Sequence, residues 1–154
     1  MRRPASLLAP ALASLALAAG CGGGSGSGAD DYVKAVNAAQ DGLAQRFDKL
    51  GSAISATSTP AQDRRTLAGY EAAVSATVDR LRDADPPAEL RGLHREFIGE
   101  IADYGDEVHR AREALSASTP RRALAAQRRL VTQVGRITAR INDTIDAINR
   151  RLRG

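Results

Sequence analysis

The chemistry open to this chain rests on few side chains: two histidines, one cysteine and a scatter of carboxylates among 154 residues. His94 and His109 stand 15 positions apart; on one helix that is about 22 Å at 1.5 Å per residue, too far to share a metal. Asp106-Glu107-Val108-His109 holds one carboxylate-x-x-His spacing. Di-iron bundles need two such spacings and further inward glutamates, and Asp106 falls nearly opposite the apolar stripe, toward water. His94 borders that stripe and is expected as a rim histidine. No Gly-x-Ser-x-Gly elbow and no Cys-x-x-Cys-His run occurs, so nucleophilic catalysis lacks a held nucleophile with a base, and covalent haem attachment lacks its thiols. The residues therefore predict no enzyme, no catalytic residues, no metal ligands and no cofactor.

The lone cysteine follows a different logic. Met1-Arg2-Arg3 opens the chain, an apolar stretch runs from Leu7 to Ala19, and Leu17-Ala18-Ala19-Gly20 leads into Cys21. About 13 apolar residues suit a secretory signal and fall short of the ~20 needed to span a bilayer. The run Leu17-Ala18-Ala19-Gly20-Cys21 resembles the lipobox of bacterial lipoproteins. That resemblance implies a diacylglyceryl group, with palmitate-type acyl chains, on the Cys21 thiol and cleavage at the Gly20–Cys21 bond. An ordinary signal peptidase cutting near Ala18-Ala19-Gly20 is the alternative, and it would leave a free thiol. Gly22-Gly23-Gly24-Ser25-Gly26-Ser27-Gly28 follows, a composition that behaves as flexible coil. The expected division is residues 1–20 as signal peptide, 21–29 as lipidated cysteine and tether, and 30–154 as one folded domain.

Without Arg2 and Arg3, 20 basic residues face 18 acidic ones, so no global attraction to nucleic acid is implied. Trp is absent and the single Met is the initiator; the core must come from Leu, Ile, Val and Ala, and a His/Met haem site has no methionine. Apolar residues recur with helical spacing in four stretches. Val36, Leu43, Phe47, Leu50 and Ile54 line the first, and Leu67, Tyr70, Val74, Val78 and Leu81 the second. Leu90, Leu93, Phe97, Ile101, Tyr104, Val108 and Leu115 line the third; Leu130, Val134, Ile137, Ile141, Ile145, Ile148 and Leu152 line the fourth.

Thr59-Pro60-Ala61-Gln62 has the form of a capping box with proline at the first helical position. Thr119-Pro120 repeats the cap and proline, and Asp85-Pro86-Pro87 opens the third stretch. Short connections make successive helices antiparallel. The fold class is all-α, an antiparallel up-down-up-down four-helix bundle. Ser58-Thr59-Pro60 and Ser118-Thr119-Pro120, with matching apolar positions, are the offsets of two repeated helical hairpins or of convergent amphipathic patterning. Gly42, Gly69, Gly92, Gly99, Gly105 and Gly135 fall inside these helices at about 1 kcal/mol each relative to Ala; close helix approach or a partner's docking is the use expected of them, except at Gly92 and Gly99, which map to the outer face without a physical reason.

Charge is unevenly placed. The fourth stretch holds nine arginines against two aspartates, and the third seven acids against four arginines. Glu96, Glu100, Asp103 and Glu107 share one flank of the third helix; Arg122, Arg129, Arg136 and Arg140 share one of the fourth. Antiparallel packing predicts Glu107 with Arg129, Glu100 with Arg136 and Glu96 with Arg140, each worth ~0.2–1 kcal/mol if exposed. Arg121, Arg128, Arg150 and Arg153 point outward in this reading.

Pro86-Pro87-Ala88-Glu89-Leu90-Arg91 followed by an amphipathic helix resembles the small helical lipoproteins of GC-rich bacteria. The resemblance implies a lipid-anchored envelope protein on the extracytoplasmic face of the cell membrane, with a non-catalytic binding or structural role. The expected partners are the membrane, through the lipid on Cys21, and an envelope protein or anionic polymer. A carrier of a metal or small ligand between the helices is the alternative.

Overall fold

A computed structural model describes residues 27–51, 59–116 and 119–153. The signal segment, Cys21, the glycine run up to Gly26, and the expected Ile54, Ser58 and Ser118 positions lie outside these residues. Four helices form: α1 (Ser27–Gly51), α2 (Pro60–Arg82), α3 (Arg91–Ser116) and α4 (Pro120–Leu152), with a 3₁₀ turn at Ala88–Leu90 before α3. Among the described residues there is no strand. Backbones approach closely between α1 and α2, α2 and α3, and α3 and α4, and the result is an all-α four-helix bundle.

Local chemistry sets the ends. The Thr59 backbone N–H donates to Gln62 Oε1 at 2.7 Å and the Gln62 N–H donates to Thr59 Oγ1 at 3.3 Å, the expected capping box. Thr119 makes no side-chain cap bond. Position 122 there is arginine, which cannot reciprocate as Gln62 does, and the Arg122 N–H turns back to the Thr119 carbonyl at 2.9 Å. α1 takes in Ser27–Ala29, where coil was expected; the first turn of a helix tolerates glycine because its N–H groups lack intrahelical partners in any case.

The interior is aliphatic with five aromatic rings. Val36, Leu81 and Leu90 have no exposed surface and Ile148 and Phe97 are 1% exposed; burying a side chain of this kind contributes ~1.5–3 kcal/mol. Three rings knit three helices. Phe47 of α1 meets Tyr70 of α2 edge-on at 4.6 Å and Tyr104 of α3 at 5.5 Å, and the Tyr70 hydroxyl donates to the Phe47 carbonyl at 3.3 Å. Close helix approach explains two of the glycines. A Cβ at Gly69 would stand 2.7 Å from Leu50 Cδ2, and one at Gly105 would stand 3.0 Å from Val74 Cγ1.

Gly99 has no such reason. It is exposed in mid-helix, and a Cβ there meets nothing within 4 Å. Gly99→Ala should stabilise the bundle by about 1 kcal/mol through helix propensity alone. An unchanged urea midpoint would show that this gain is offset by something the structure does not reveal.

Candidate functional site

The expected lipid-attachment residue, Cys21, lies outside the described residues. The remaining chemistry falls in three places.

The first is buried. His94 is 5% exposed, where sequence placed it at the rim. Its position explains this: Leu90, His94, Phe97, Ile101, Tyr104 and Val108 alternate spacings of four and three and so share one face. The Nε2 atom lies 2.9 Å from the Leu81 carbonyl oxygen at the end of α2. A carbonyl only accepts, so Nε2 carries the proton and Nδ1 is left as an acceptor. The Tyr32 hydroxyl of α1, 3.1 Å away, donates to it. Burial lowers the His94 pKa, an effect the bond to Leu81 partly opposes, and burial pushes the Tyr32 hydroxyl up to about 12. A neutral imidazole thus joins three helices, with both ring nitrogens satisfied internally.

The second place is the α3–α4 seam. The acidic flank of α3 faces α4 as expected, but only one expected pair forms: Glu107, with a side chain 9% exposed, reaches Arg129 at 3.6 Å and also pairs with Arg110. Arg140 takes Asp103 at 2.7 Å and leaves Glu96. Glu100, 5% exposed, bonds the Thr144 side chain instead of Arg136. Burial raises the Glu100 pKa; the Thr144 bond and the Arg140 charge pull it back, while Glu96 and Asp103 push it up. Arg140 sits seven residues, about two turns, from its expected level. Arg129 keeps its expected level beside Glu107, so the departure grows along α4, whose first buried side chain among the described residues is Leu130.

The third is the surface between helices. His109 is half exposed, its Nδ1 3.4 Å from Glu71 Oε2, and Arg112 Nε lies 2.9 Å from Glu71 Oε1. Glu71 and His109, together with Asp79, Arg82 and Asp106, edge an open 340 Å³ groove over Val74 and Gly105. A 770 Å³ groove runs between α3 and α4, with Glu89 and Glu96 opposite Arg150 and Arg151. No group of three or more histidine, cysteine or carboxylate side chains among the described residues is placed to hold a metal ion. No described helix is long and apolar enough to cross a membrane.

The chain matches no protein-family model, no curated protein and no solved structure.

One surface remains. From Arg121 to Arg129 every described side chain is exposed except the half-buried Ala126. Leu124 and Val131, 48% and 42% exposed, are the large apolar side chains that stand out on the described surface. Sequence reasoning placed Arg121 and Arg128 outward but overlooked both apolar residues, since Leu124 precedes the stripe and Val131 sits beside it.

Proposed function

We propose that this chain is a lipid-anchored helical-bundle protein of a bacterial cell envelope, held on the extracytoplasmic face of the membrane through Cys21, with a binding or structural role and no catalysis. One observation carries the reading: a single cysteine stands directly behind a charged start and an apolar stretch, and a Gly/Ser run then leads straight into α1. The bundle supports the non-catalytic part. Its buried imidazole is consumed by two internal hydrogen bonds, and its interior is lined mainly by aliphatic and aromatic side chains, which favours recognition at the outer faces. The near balance of charge argues against nucleic acid as the partner.

Carriage of a small ligand is the second reading. It draws on Glu100 Oε2, Thr138 Oγ1 and Asn149 Oδ1, buried oxygens without a hydrogen-bond partner among the described residues. Mass spectrometry of protein extracted from its own membranes in mild detergent separates the readings. We expect added mass that survives denaturation and vanishes in Cys21→Ser. An unmodified Cys21 would refute the anchor, and mass lost only on denaturation would favour the carrier.

A further inference from the structure

The first turns of α4 present an unpartnered face of unusual composition. Positions 121, 124, 128, 131 and 135 follow spacings of three and four, so Arg121, Leu124, Arg128, Val131 and Gly135 lie along one line of the helix. All five are exposed. Between Glu113 and Asp143 the chain contains six arginines and no acidic residue. Two of the six are engaged, Arg129 by Glu107 and Arg140 by Asp103; Arg121, Arg122, Arg128 and Arg136 pair with no carboxylate among the described residues.

We propose that this face docks the bundle onto an anionic membrane surface, the arginines meeting lipid phosphates while Leu124 and Val131 enter the headgroup boundary. The inference rests on the lipid-anchored reading, which places a bilayer within reach of the domain. Charge complementarity selects the occupant. Arginines interleaved with exposed aliphatic side chains match an interfacial helix on anionic lipid, whereas a second copy would set Arg121 and Arg128 against arginines of the same stripe. The topology also gives an orientation. α1 and α4 begin at opposite ends of an up-down-up-down bundle, so a tether at the start of α1 and a docking face at the start of α4 lay the domain lengthwise along the membrane.

The test is vesicle co-sedimentation of a chain beginning at Gly22, which contains every core residue described here, between Tyr32 and Ile148. Binding is expected to vesicles containing phosphatidylglycerol, to weaken as salt is raised, and to be absent with phosphatidylcholine alone. The double variant Arg121→Gln/Arg128→Gln should bind roughly thirty-fold more weakly, and Leu124→Ser/Val131→Ser should lose binding as well. All four side chains are exposed, so circular dichroism should show an unchanged fold. Equal binding by the variants, or indifference to lipid charge, overturns the proposal. So does a dimer in solution that Leu124→Ser/Val131→Ser dissolves, or capture of soluble polyphosphate with no vesicle binding. The measurement omits Cys21, so it stands apart from the anchor: a lipidated protein whose bundle ignores vesicles fails here alone, and a bundle that binds vesicles while Cys21 is unmodified fails there alone.

Discussion

His94→Ala should lower the stability of the bundle by about 2–4 kcal/mol, through lost packing and a buried Tyr32 hydroxyl left without its acceptor. The Leu81 carbonyl is less exposed to the loss because it also accepts the Ala84 N–H at 3.2 Å. Urea unfolding measures the difference. The same side chain makes stability depend on pH. The folded pKa of His94 is held below its ordinary value by burial, so the unfolded chain takes up a proton first as pH falls through about 6.5. Stability from this site is therefore complete above that pH and declines below it until the folded ring also protonates. A protonated Nδ1 could no longer accept from Tyr32. Wild type should lose stability between about pH 8 and about pH 5, and His94→Ala should lose less over that interval. Parallel pH profiles would mean that His94 is not the responsible group.

Phe47→Ala should be at least as costly, about 3–5 kcal/mol, because the ring is 6% exposed and touches two other rings. Its removal leaves a void between α1, α2 and α3 beside Tyr70 and Tyr104. The chain has no tryptophan and only three tyrosines, so near-ultraviolet circular dichroism reports mainly on this cluster and the Tyr32 site. It should weaken before helix content falls. A loss under about 1 kcal/mol would show that the site collapses around the smaller side chain.

Helix number, order and core faces were legible because the aliphatic stripes repeat at 3.6 residues and the Thr59 box has both of its partners in sequence. Register was less legible. Glu107 and Arg129 lie near the α3–α4 connection, where small errors do not accumulate. Farther along, where α4 becomes buried from Leu130 onward among the described residues, Arg140 meets Asp103 and not Glu96. His94 was misplaced by its type: a histidine at a core spacing reads as a border residue unless its partners are known, and Tyr32 lies 62 positions away. No spacing rule connects the two. The exposure of Leu124 and Val131 was hidden for the opposite reason, since apolar residues near a stripe are read as part of it.

Among the described residues, the extensive backbone approaches of the four long helices join helices adjacent in sequence, and the 3₁₀ turn before α3 also touches α4. Contacts of that kind form early, and domains dominated by them fold in microseconds to milliseconds. The ring and hydrogen-bond contacts from Tyr32 to His94 and from Phe47 to Tyr104 are the exceptions. They require α3, whose N-terminal part becomes available only after α2 and its connection have been laid down, and longer closures carry a larger entropic penalty. During synthesis α1 is the first of these four helices to emerge and can lie against α2, but its aromatic anchors must wait for the third. The earliest of the four helices is thus among the last to be fixed in place.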